Sequence, residues 1–193
     1  MNANDILILL QRVARLEPGA FKEIRDDDRL TPVAIGAMVA AVILAGLGAW
    51  MYGETVLDGY SFSFVDTVVL GSLFTLLLMF AGMGIIYVMM IQVFRIDIAP
   101  DALIRLLAVG HLPYALGLLV LIPEVGFAFG VLSVVGVFYW TLFALRAALP
   151  AAEERRLMPS VVPGMLVWLA IMPLISEPGD DFVTGVFVYG LLA

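Results

Sequence analysis

The sequence has no cysteine and only one histidine in 193 residues, and charged side chains make up just 14% of it. Without cysteine it holds no disulfide and no thiolate metal site. One histidine is too few for a bis-histidine haem or a histidine-based metal cluster. No Ser-His-Asp order, phosphate-binding loop or metal-ligand spacing occurs, so no catalytic residue, metal or cofactor is assigned. No Asp, Glu, Lys or Arg lies at the centre of any long apolar run. Ion-coupled transporters and proton pumps place such groups at membrane depth. Their absence counts against that chemistry.

What fills the chain instead is hydrocarbon. Hydrophobic residues reach 63% and the mean hydropathy is +1.07, far above the roughly 45–50% apolar content of soluble domains. The expected fold is an all-α polytopic membrane protein with five transmembrane helices, at about 32–52, 67–94, 103–121, 125–149 and 161–175. Each run is set by the apolar length needed to cross a core of about 30 Å. Residues 1–30 form an amphipathic N-terminal segment, 31–176 the membrane domain, and 177–193 an apolar tail too short to cross. The apolar stretch Ile6 to Leu10 is about half a span and runs into Arg12 and Arg15, so no cleaved signal peptide is expected.

The charges fix the ends of these runs. FKEIRDDDRLTP, Phe21 to Pro32, is the last strongly charged stretch before the first span, with Thr31 as helix cap and Pro32 at the first helical position. The second run, 28 residues, must tilt or extend past the surface. Arg105 is placed to snorkel at the start of the third. Ile122 to Val125 is so tight a turn that the third and fourth spans must be antiparallel neighbours. Pro150 to Ser160 reads as a solvated loop. Pro163 and Pro173 predict a bent fifth helix.

Counting then orients the chain. All ten Lys and Arg residues fall on one side of the five spans, while Glu54, Asp58, Asp66, Glu124, Glu177, Asp180 and Asp181 fall on the other. The positive-inside rule places the N-terminus in the cytoplasm and the C-terminus outside. A bacterial cytoplasmic membrane is the expected location, and lipid and other membrane proteins or further copies of the chain the expected partners; no nucleic acid is.

Three groups of residues are candidates for function. Phe21, Glu23, Ile24, Arg25 and Arg29 present both charge signs beside an amphipathic helix, as candidate partner or membrane-surface contacts. Gly126 and Gly130 form a GxxxG pair for close helix packing. His111 and Tyr114 flank Pro113, the most polar and kink-prone point within a span; the bland reading is an imidazole bonded to a freed backbone carbonyl. Gly82 and Gly84 suggest local flexibility in the second helix, and the methionines around them read as adaptable packing.

FKEIRDDDRLTP before the first span and RIDIAPDALIRLLAVGHLPYALGLLVLIP leading into the third and fourth together resemble the Yip1-domain proteins, particularly bacterial members. The likeness runs from about Glu17 to Ile175. Phe21, Glu23, Ile24 and Asp27 match the family's pre-membrane run, and Arg105, Gly110 and Pro113 match its third-span segment, where His111 stands in place of an aromatic. The eukaryotic Asp-Leu-Tyr-Gly-Pro motif has only a partial counterpart, Met51, Tyr52 and Gly53, on the other side of the first span. The resemblance implies a cytoplasmic N-terminal segment, five membrane helices and a non-enzymatic scaffold or membrane-organising role. Two other readings fit the residues: an accessory subunit of a larger respiratory, photosynthetic or transport complex, and a small-molecule channel or permease using His111, Pro113 and Tyr114 at a broken helix.

Overall fold

The computed structural model describes residues 3–56, 62–149, 154–175 and 185–186. The elements among them are all helical: α1 (Ala3–Ala14), α2 (Pro18–Asp26), α3 (Thr31–Thr55), α4 (Gly71–Tyr87), α5 (Pro100–Gly110), α6 (Gly126–Ala148) and α7 (Glu154–Ile175). Single wide π turns, Val65–Leu70 and Val88–Val93, extend α4 at both ends, and a 3-10 helix, Leu112–Leu121, continues α5. Five of the resulting segments are long and apolar enough to cross a membrane: Asp28–Thr55, Val65–Val93, Pro100–Leu121, Gly126–Ala148 and Glu154–Met172. These coincide closely with the five expected spans.

Two boundaries differ for physical reasons. Helix α7 begins at Glu154, so residues 154–160 are helix and not solvated loop; Leu157 is buried and drags that turn onto the bundle. Thr31 is not the cap of α3. A 3-10 turn, Asp28–Leu30, precedes it, and the Asp27 carboxylate caps that turn by accepting from the Arg29 amide at 3.0 Å. Of the expected tail, only Gly185 and Val186 are described; the other residues of 177–193 lie outside the described residues.

The third span is the axis of the fold, with the largest buried share of the five. Its 3-10 half packs between α3 and α6, and α4 pairs with α7. A ten-residue 3-10 helix exceeds the usual three or four, and it begins where Pro113 interrupts α5. Pro113 supplies no N–H, and its ring disfavours a continuous α-helix. The tighter coil then lets α3 approach closely. A Cβ on Gly48 would collide with the Gly117 carbonyl and lie 2.7 Å from Leu118 Cα, and one on Gly117 would sit 2.7 Å from Ala45 Cβ. Gly136 packs in the same way against Pro113.

A second glycine contact joins α4 to α7. Gly82 and Gly164 face each other so closely that a Cβ on Gly82 would lie 2.9 Å from the Gly164 carbonyl oxygen, and one on Gly164 would strike the Gly82 carbonyl. Gly82 is therefore a packing residue in an unbroken helix, not a point of flexibility. In lipid, where apolar burial does not drive helices together, such backbone approach is a main source of association. Gly126 and Gly130 are buried on α6.

Candidate functional site

Helices α4 and α6 both finish, and α3, α5 and α7 all start, at one end of the bundle, where α2 lies across α5 and α6. Every α-helix leaves its last four carbonyls without an internal partner. Here arginines from neighbouring elements meet them. Arg25 donates to the carbonyl of Ala148 at the end of α6. Arg156 donates to Phe94 beyond α4 at 3.3 Å. Arg105 donates through Nε to Ile24 at 2.8 Å and through Nη2 to Arg25 at 2.7 Å, both in the last turn of α2.

Arg105 is the centre of this basic end. Its side chain is only 2% exposed, yet each of its five N–H groups has an acceptor within reach. Besides the two carbonyls, Nη1 reaches Thr31 Oγ1 at 3.1 Å and Asp101 at 2.9 Å, and Nη2 reaches Asp28 at 2.9 Å. The guanidinium thus joins α2, the turn before α3, and α5. Burying a charge is costly unless it is fully paired, and here it is. The expected snorkelling does not occur: α2 and the turn before α3 cover the guanidinium, whose carboxylate partners Asp28 and Asp101 are themselves exposed. Thr31 in turn donates to the Asp28 carbonyl at 2.9 Å, fixing the corner itself.

The N-terminal candidates separate around that anchor. Phe21 and Ile24, expected as partner or membrane-surface contacts, are buried; the Phe21 ring meets Phe143 of α6 edge-on at 5.5 Å. They hold α2 to the bundle. Glu23 and Arg29 remain exposed and Arg25 half-buried. Arg12 of α1 bonds Glu23 at 2.7 Å and Glu17 at 3.2 Å, tying α1 to α2. Arg29 holds the Asp27 carboxyl down at about 2 through side-chain and backbone hydrogen bonds. Helix α1 buries Leu9 and Val13 while leaving Leu7 and Ile8 exposed, an apolar edge suited to a headgroup region.

At membrane depth some polar side chains bond nearby backbone, while the Ser72, Tyr114 and Thr141 hydroxyls are buried without a hydrogen-bond partner among the described residues. His111 sits at the junction of α5 and the 3-10 segment, buried, with Nδ1–H donating to the Leu107 carbonyl at 2.7 Å. That is the backbone-bonding role expected beside a proline. The ring borders a gap of about 10 Å³ lined with Met79, Gly82, Met83, Gly164 and Trp168, room for at most one water. Tyr114 is buried edge-on to Trp168 at 5.6 Å, its hydroxyl facing Thr75 and the Val186 backbone. His111 and Tyr114 are thus brought near α4 and α7, and among the described residues the gap that His111 borders is only this small one. Thr75, Ser133 and Ser160 donate to the carbonyls four residues earlier, at 2.8, 2.7 and 2.6 Å, the usual way a hydroxyl is satisfied in a buried helix.

Among the described residues no group of three His, Asp or Glu side chains could hold a metal ion. No family model, curated protein or solved structure matches the chain.

Proposed function

We propose that this is a non-enzymatic membrane-organising protein of the Yip1 type, a five-helix scaffold that presents a folded N-terminal platform at the cytoplasmic face of a bacterial membrane. The orientation follows from the positive-inside rule, since all ten basic residues fall on one side of the spans. The observation that carries the platform reading is the Arg105 anchor. A buried, fully bonded guanidinium fixes α2 on the bundle, so Lys22, Glu23, Asp26 and Arg29 are displayed as a rigid, mixed-charge surface. Rigid display lowers the entropic cost of recognition.

A photo-crosslinking residue at Lys22 tests this in living cells. The reading expects protein adducts of defined mass, reduced by charge reversal at Arg29 but not by a change at the opposite end of the bundle, such as Glu124→Gln. Adducts with lipid alone would contradict it.

A second reading, an accessory subunit of a larger membrane complex, draws on the outer face of α4. Leu70, Leu73, Leu77 and Phe80 form an exposed apolar stripe at helical spacing. It expects a complex of fixed stoichiometry in mild detergent, and a clean monomer would contradict it.

A further inference from the structure

Helices α4 and α7 cross at Gly82 and Gly164, where a Cβ on either glycine would meet the other's carbonyl oxygen. So close a crossing brings neighbouring side chains of both helices, with His111 of the third span, onto one gap of about 10 Å³. Met79 and Met83 stand four apart on one face of α4, and Met165 and Trp168 three apart on one face of α7. These four residues and His111 line the gap, and all five are buried. We propose that the gap is a site for one soft monovalent metal ion, Cu(I), bound by the thioethers of Met79, Met83 and Met165 and by Nε2 of His111. The proposal does not depend on the platform reading above.

The chemistry of the lining selects the ion. Thioethers and an imidazole are the donors that soft Cu(I) takes, whereas Mg²⁺ and Ca²⁺ take oxygen. None of these donors is charged, and no Asp or Glu is among the residues that line the gap. The penalty for burying an ion grows with the square of its charge, so an uncharged donor set favours a monovalent ion over a divalent one. Trp168 contributes an indole, the best of the aromatic partners for a cation.

The imidazole is already set for the role. Nδ1 of His111 lies 2.7 Å from the Leu107 carbonyl oxygen. A carbonyl can only accept, so Nδ1 carries the proton, and in the neutral ring Nε2 keeps its lone pair. Metal-binding histidines are oriented in the same way, by an acceptor on the nitrogen that does not meet the metal.

Packing alone and a buried water both account for less. Methionine is flexible enough to fill irregular space, yet three of them leave this gap open. A water needs about two to four hydrogen-bond partners, and of the lining side chains only those of His111 and Trp168 carry nitrogen or oxygen. An ion is held by the thioethers themselves. Met79 stands midway along the span Val65–Val93, so a bound ion would tie α4, α7 and the third span together at membrane depth.

Purified protein in nanodiscs, incubated anaerobically with Cu(I) buffered by bicinchoninate and ascorbate until the reading is constant, supplies the test. Native mass spectrometry counts the bound metal, and X-ray absorption at the copper edge identifies the ligand atoms. The expected result is one Cu(I) per chain among sulfur ligands and one nitrogen, with no Zn²⁺ taken up in its place. Met83→Leu, a volume-conserving exchange that packed cores tolerate, should weaken binding about ten-fold or more, since even residues behind the ligands of a metal site cost that much. Met83→Leu and Met165→Leu together should abolish it at the same chelator concentration, whereas Met89→Leu, outside the gap, should leave it unchanged. Retained helicity establishes that the variants fold. An unaltered protein that binds no Cu(I), a double variant that binds it undiminished, or copper ligated by oxygen would each overturn the proposal.

Discussion

The basic end of the bundle and its interior solve one problem, how to bring backbone carbonyls into contact with something, by opposite means. At the basic end the carbonyls are far from other backbone, and Arg25, Arg105 and Arg156 bridge the distance. In the interior the side chain is removed altogether, so that Gly48 meets Gly117 and Gly82 meets Gly164 directly. The first arrangement tolerates changes of shape and depends on charge and donor number. The second has no charge and depends on volume. Substitutions should therefore sort by region, with conservative and drastic exchanging meaning between the two.

The largest expected effect comes from Arg105→Ala. It leaves the α2 carbonyls and two carboxylates without their shared donor and should weaken the docking of the N-terminal helices by about 3–5 kcal/mol. Thermal unfolding in detergent should show an early transition for the N-terminal region with the spans still folded. Arg105→Lys keeps the charge but offers three donors without the planar fork, so it should recover only part of the loss.

The interior should respond to a single methyl group. Gly48→Ala and Gly164→Ala meet backbone, which cannot swing aside, and each should destabilise the bundle by about 1–3 kcal/mol, read as a loss of global melting temperature without an early N-terminal transition. If Gly48→Ala instead released only the N-terminal helices, the two regions would not be distinct.

Acid should separate them as well. Arg29 depresses the Asp27 carboxyl to about 2. A depressed carboxylate stabilises the fold above its unfolded value, near 4, and that contribution disappears as pH falls toward 2. The α2–α3 corner should therefore loosen within this window, followed by the fluorescence of a label at Lys22, while the Gly82–Gly164 crossing is unaffected.

The smallest effect is a gain. Arg95 follows α4 at a φ of +54°, a left-handed conformation that suits glycine. Ile96 bonds back to the Met90 carbonyl at 2.9 Å in a terminating turn. Arg95→Gly should stabilise by about 1 kcal/mol, measurable as a modest rise in melting temperature.

The spans were legible in the sequence because hydrocarbon excludes charge. FKEIRDDDRLTP, Arg95 to Asp101 and Glu124 bracket the apolar runs, and a helix has few other places to stop. The helix change at His111 was legible from Pro113, and the Ile122–Val125 turn from its length. Arg105 was not. Its acceptors on α2 lie about eighty residues earlier, and nothing local distinguishes a snorkelling arginine from one that a distant helix covers. The burial of Phe21 and Ile24 escaped for the same reason, since an amphipathic helix looks alike whether its apolar face meets lipid or α6. Among the glycines, the GxxxG spacing drew notice to Gly126 and Gly130. The Gly82–Gly164 crossing pairs residues from different helices and has no sequence spacing at all.

Amide hydrogen exchange of residues 18–30 in nanodiscs tests most directly whether the N-terminal helices are part of the bundle through Arg105. These amides should exchange about a hundred-fold or more slower than in an unstructured peptide, the protection that about 3 kcal/mol confers. In Arg105→Ala that protection should vanish while α3 to α7 keep theirs. Peptide-like exchange in the unaltered protein, or protection indifferent to Arg105→Ala, would contradict it.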